Sequence, residues 1–122
     1  MAIDIQMRNG VIEVTLKGEV TPEELQRHLQ EIGELEQRLE VTPDRIVDVT
    51  AASVDGLDSC HVVEIAKGRK VAQLKNKVKS AFIAGTPIQF GLARMFMAYN
   101  QNPNIEIMIF KDAASARAWI NS

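Results

Sequence analysis

Side chains able to do chemistry are few in this 122-residue chain, and most stand alone. Cys60 and His61 are adjacent, and neighbours on a helix point about 100° apart, so they cannot form a thiolate–imidazole pair with each other. As a single cysteine, Cys60 reads as a small buried hydrophobe. His28 falls on the flank of a helical pattern, the place of a boundary residue. Two isolated histidines, without Cys or carboxylate at ligand spacing, make no zinc site. Asp55 and Asp58 could hold a cation, but no Asp-rich loop of the calcium-binding pattern surrounds them. The seven glycines are scattered and form no phosphate-cradling loop. The inventory points away from an enzyme, a metal and a cofactor.

What remains is a set of polar residues where strands hand over to helices: Glu19, Thr21, Thr50, Ser53, Asp55, Asp58, Ser59 and Thr86. In an open α/β sheet, ligands bind beyond the carboxyl ends of the strands. Helix N-termini gathered at that rim offer free N–H groups and a partial positive charge, suited to an anion or a phosphoryl group. The plainer reading of Thr21, Ser59 and Thr86 is as helix caps, each worth about 1 kcal/mol.

The elements that must position these residues are legible in the patterning. Ile3, Ile5 and Met7 alternate with Asp4, Gln6 and Arg8, as on a half-buried strand. Asn9-Gly10 is a type I′ hairpin signal, because that turn needs positive φ at both central residues. A return strand over 11–17 buries Ile12, Val14 and Leu16. Thr21 then reads as an N-cap, Pro22 as the first helical residue and Glu24 as the partner in a capping box. The stripe Leu25, Leu29, Ile32, Leu35 and Leu39 predicts a helix ended by Thr42-Pro43. A β-branched strand follows over 45–50, with a turn-like segment over 51–56. A second helix starts near 57–59 and carries Val62, Ile65, Ala66 and Ala72 inward. The fourth strand is expected over 78–84. A third helix is capped by Thr86, with Pro87 first and a stripe of Ile88, Leu92, Met95, Phe96 and Tyr99. A fifth strand over 104–110 precedes a last helix capped by Asp112 and burying Ala116, Trp119 and Ile120.

The order ββαβαβαβα predicts an α/β fold: a single-domain open mixed β-sheet over 1–122, flanked by helices. Right-handed crossovers make the last four strands parallel, and the hairpin makes the first antiparallel. Apolar residues at 46% with 25% charged residues exclude disordered, collagenous and disulfide-scaffold classes. One Cys forms no internal bridge, no apolar run reaches the roughly 20 residues of a membrane span, and 1–4 lacks a signal-peptide pattern. A cytoplasmic protein with no integral membrane association is expected. Residues 1–64 hold 14 acids and 5 bases, and 65–122 hold 2 acids and 9 bases, so −9 and +7 sum to −2. Such asymmetry describes a dipolar monomer or a dimer with complementary faces. The basic stretch Lys67, Arg69, Lys70, Lys75, Lys77 and Lys79 has no interleaved aromatics for base stacking, which argues against nucleic acid.

The run Gln89-Phe90-Gly91-Leu92-Ala93-Arg94-Met95-Phe96, the strand Ile107-Met108-Ile109-Phe110 and the Trp119-Ile120 ending resemble the STAS superfamily, the fold of bacterial anti-sigma-factor antagonists. The chain is most similar to the STAS/SEC14-like, or sporulation stage II AA-like, branch. In the antagonists, a strand ending Asp-hydrophobic-Ser/Thr leads to an Asp-Ser-Ser-Gly helix start whose serine is phosphorylated. Asp48-Val49-Thr50 matches the first part and Asp58-Ser59 the second, while Cys60 and His61 replace Ser and Gly. The resemblance thus makes Ser59 the candidate phosphorylation site and Asp48, Thr50, Asp55, Asp58, Thr86 and Arg94 a candidate binding edge.

Two functions follow. One is a non-enzymatic regulatory module that docks a protein partner or a second copy of itself, with Phe90 and Met97 in the interaction surface and a homodimer expected. Phe90, Met95, Phe96, Met97 and Tyr99 give the third helix more apolar surface than one face needs, unless both its sides are core. The other, implied by the SEC14-like kinship, is a small apolar, lipid-like or anionic ligand held between the sheet and the third helix. Arg94, the only charge on that helix, is then an anion clamp rather than a surface residue.

Overall fold

The computed structural model describes residues 3–70, 74–100 and 102–122, without the side chains at 59 and 68–70. Strand β1 (Ile3–Arg8) turns through Asn9 and Gly10, with φ of 53° and 75°, into β2 (Val11–Glu19). Both turn residues occupy the left-handed region that a type I′ hairpin demands. Helix α1 (Pro22–Arg38) crosses to β3 (Asp44–Ser53), α2 (Ser59–Lys70) to β4 (Val78–Ile83), and α3 (Pro87–Tyr99) to β5 (Ile105–Phe110). Helix α4 (Ala113–Ile120) ends the chain.

The described strands form one sheet in the order β1-β2-β3-β4-β5, with β1 antiparallel and the other four mutually parallel, as the element order predicts. Every crossover moves one strand in the same direction. Right-handedness therefore places α1, α2 and α3 on one face, where Ile12, Val14, Leu16, Val47 and Ile32 form the larger core. Helix α4 covers the opposite face with Ala116 and Ile120 on Ile46, Ala81 and Ile83.

Three sequence expectations shift. Residues 51–53, read as turn-like, extend β3, which continues beside β2 through Gly18↔Ala52 and Glu19↔Ser53. The α1 stripe rotates so that His28, Ile32 and Glu36 are its buried residues, while Leu25, Leu29 and Leu35 are half-buried. His28 is thus core-facing rather than a boundary residue, and Glu36 reaches Arg45 of β3 at 2.9 Å with both side chains at most 10% exposed. On α3 the inward residues are Gln89, Leu92, Ala93 and Phe96, and Ile88 and Tyr99 from the expected stripe face solvent. Val62, Ile65 and Ala66 of α2 are buried as expected, and Ala72 lies outside the described residues.

Candidate functional site

The carboxyl ends of β2, β3 and β4 do meet at one rim, and the contacts that close it are specific. Strand β3 overruns its neighbour: its ladder to β4 ends at Asp48↔Ile83, yet it extends to Ser53. Against β2 it carries an extra residue, since Thr15↔Asp48 and Lys17↔Ala51 leave two steps opposite three. A bulge of this kind releases a backbone N–H from the ladder. Thr50 gives its N–H to Asp48 Oδ1 at 2.9 Å and its hydroxyl to the same oxygen at 2.6 Å. Asp48 and Thr50 are therefore joined at the bulge, with Asp48 half-buried and Thr50 exposed.

Beyond its ladder to β4, β3 has no strand on that side, and one side chain of α3 takes its place. Gln89 Nε2 donates to Ala52 O at 2.9 Å and to Thr50 O at 3.4 Å. Its Oε1 accepts the N–H groups of Gly85 at 2.8 Å and Thr86 at 3.1 Å. Thr86 Oγ1 in turn accepts Gln89 N–H, completing a capping box. Gly85 packs close to this closure, where a Cβ would meet Thr50 Cγ2 at 3.5 Å, an ordinary van der Waals contact. These long-range bonds explain the rotation of α3: turning Gln89 inward exposes Ile88.

At the other two turns the caps differ in detail. Thr21 accepts Glu24 N–H at 3.2 Å, but the Glu24 carboxylate takes the Thr21 hydroxyl at 3.3 Å instead of the backbone N–H expected of a full box. Asp58, not Ser59, caps α2, with Oδ1 accepting His61 N–H at 3.0 Å and lying 3.1 Å from His61 Nδ1. Ser59 is the first residue of α2, and its side chain lies outside the described residues. Asp55 is exposed beside Gly56, whose loop lies close to Val20 and Glu19 of the first turn. Cys60 is free and exposed, contrary to the buried role its type suggests, because α2 turns its Val62 and Ile65 sides to the sheet.

Helix α3 presents the outer surface next to this rim. Ile88, Met97 and Tyr99 are 59%, 39% and 47% exposed. Phe90 is half-buried, and the exposed Arg94 lies over its ring with Cζ 5.9 Å from the centroid. Arg94 is thus a surface residue and does not line the space between α3 and the sheet. Two lysines of the basic stretch serve the fold. Lys75 Nζ donates to the carbonyls of Gln37 in the last turn of α1 and of Leu39, its C-cap, and Lys79 Nζ donates to Trp119 O at 3.1 Å. The side chains of Arg69 and Lys70 lie outside the described residues.

Beneath the rim lies a cleft of about 120 Å³ between the sheet and α1, α2 and α3. Its floor is Val47, Val49 and Phe82, its walls include Leu25, Leu29, Ile65, Leu92, Ala93 and Phe96, and Val54 and Leu57 close the rim end. His28, Arg45 and Gln89 are its polar wall residues. None of them was singled out as functional by type or spacing, although Thr86-Pro87-Ile88-Gln89 carries the capping-box pattern that reveals Gln89. Among the described residues, no group of three His, Cys, Asp or Glu side chains comes together as a metal site, and no helix is long and apolar enough to cross a membrane.

No protein-family model and no curated protein matches the chain. Among solved structures it is similar to an uncharacterized protein of the DUF3478 family with a SpoIIAA-like fold from Shewanella loihica PV-4. The TM-score is 0.62 at 18% sequence identity, over 98% of this chain and 92% of that one. The alternating element order, the mixed five-stranded sheet and this superposition agree: the chain has a SpoIIAA-like, and hence STAS-like, α/β fold.

Proposed function

We propose that the chain is a non-enzymatic, cytoplasmic regulatory module that docks a protein partner, in the first instance a second copy of itself, through the outer face of α3 and the adjoining rim. The observations that carry this reading are the exposure of Met97 on the Phe90 flank of α3 and of Ile88 and Tyr99 on the opposite flank, on a helix whose only charge is Arg94. Apolar side chains left exposed on a surface helix lower the free energy of association when a partner removes them from water, and two-fold self-pairing is the commonest assembly. Sedimentation equilibrium tests it. The wild type is expected to dimerise, and an Ile88→Asp, Tyr99→Asp variant to stay monomeric with an unchanged circular dichroism spectrum. A wild type that remains strictly monomeric at high concentration removes the self-association.

Ser59 supplies the switch in this reading. A phosphate there adds about −1.5 to −2 charges next in sequence to Asp58 and four residues after Asp55, and the repulsion releases the partner. If Ser59→Asp leaves the dimer affinity unchanged, the switch is abandoned. A second reading, a carrier of a small apolar ligand, is favoured by one observation, the cleft between the sheet and α1–α3. Its size argues against a long lipid, since ligand pockets ordinarily enclose about 300–1,000 Å³.

A further inference from the structure

We infer that the cleft between the sheet and α1–α3 binds a compact, uncharged apolar ligand of about the size of one substituted benzene ring. The inference rests on the second reading above and specifies the ligand's size and charge. Protein interiors contain few voids larger than a water molecule. Although open to solvent on one side, a space of about 120 Å³ approaches in size the engineered apolar cavity of about 150 Å³ that binds benzene. The lining is suited to such a guest: Val47, Val49 and Phe82 form an apolar floor, facing Leu92 and Phe96 across the space. The space also has a way in. Leu25, Leu29, Leu57, Leu92 and Phe96 all border it and all remain only half-buried, so solvent reaches its wall between the helices.

Charge on the ligand is disfavoured by what the polar wall residues already do. Both ends of the Gln89 amide are committed to the rim, to Ala52 O and to the N–H groups of Gly85 and Thr86. Arg45 is held by Glu36 at 2.9 Å, so its charge is matched within the protein. His28 is also engaged elsewhere. The buried His28 Nδ1 and Arg45 Nε, which make no hydrogen bond, leave room for one neutral polar substituent on the ring but supply no unmatched charge. Arg94 lies outside, over Phe90. An anionic group placed in the cleft would lose its hydration and gain no unmatched cation in return.

Methyl-detected NMR of the full chain, titrated separately with toluene, benzoate and dodecanoate, tests the inference. Toluene is expected to give saturable shifts centred on the methyl groups of Val47, Val49 and Leu92, with benzoate at least tenfold weaker. Ala93→Leu, which adds bulk to the α3 wall, is expected to keep or raise the melting temperature and to weaken toluene binding at least tenfold. Should that variant not fold, Val54→Ile adds one methyl group at the rim end and is expected to weaken toluene binding in the same direction. Benzoate binding as tightly as toluene overturns the inference. So do toluene shifts that do not saturate or that centre on Ile88 and Met97. Dodecanoate shifting the same methyl groups where toluene does not refutes the stated size and charge while leaving a ligand-carrier reading intact. Silence from all three probes removes both.

Discussion

Gln89 holds the rim together, and replacing it measures how much of the site depends on one amide. It is 4% exposed and makes three hydrogen bonds of 2.8–3.1 Å, with a longer contact at 3.4 Å. Gln89→Leu keeps most of the volume, so no large cavity confuses the result. At about 1 kcal/mol net per hydrogen bond, the loss is about 3 kcal/mol, part of it from leaving Ala52 O buried without its donor. With an unfolding entropy near 2.1 cal/mol/K per residue, this lowers the melting temperature by about 12 °C, readable by calorimetry and urea unfolding. Gln89→Glu separates the two ends of the amide. A carboxylate still accepts the Gly85 and Thr86 N–H groups but sets a second oxygen against Ala52 O, and only the protonated acid donates there. The folded-state pKa of such a Glu is raised above its unfolded value near 4.3. The variant's stability is then close to wild type below that value and falls as pH rises through the folded pKa. The reasoning is refuted if Gln89→Leu costs less than about 1 kcal/mol, or if the gap between Gln89→Glu and wild type does not change between pH 4 and pH 7.

Arg117 grips Glu13 from α4 with bonds of 2.9 and 3.2 Å, and the guanidinium holds the Glu13 carboxyl below its ordinary 4.5. A depressed folded pKa contributes stability that is present above the unfolded value and lost as pH falls through the folded one. Arg117→Ala is expected to return the Glu13 titration, followed by its carboxyl carbon, towards 4.5. At neutral pH the same change is expected to cost no more than about 1 kcal/mol, because the pair is partly solvated. Cys60 is expected to react with a disulfide reagent such as Ellman's at one equivalent per chain without denaturant; a thiol silent until unfolding contradicts the exposed placement.

The hairpin, the helix starts and the strand directions were legible because local chemistry and crossover handedness specify them. Asn9-Gly10 tolerates positive φ, Thr21, Thr86 and Asp112 each accept an N–H three residues on, and a helix between each successive pair of the last four strands makes those strands parallel. The rotation of each helix was beyond that reach. One residue along a helix is about 100° of arc, so a stripe read from hydrophobicity alone is easily displaced by a single distant bond. On α3 that bond is from Gln89 to β3, which turned Ile88 outward, and on α1 a buried polar pair with Arg45 favoured the line through His28, Ile32 and Glu36. Likewise, the length of β3 past β4, the exposure of Cys60 and the unfilled space under the rim depend on residues tens of positions apart in sequence. The sequence therefore determined which segments are strands and helices and how they connect. Tertiary packing decided which side of each helix meets the sheet, and with it where the cleft and the exposed α3 surface lie.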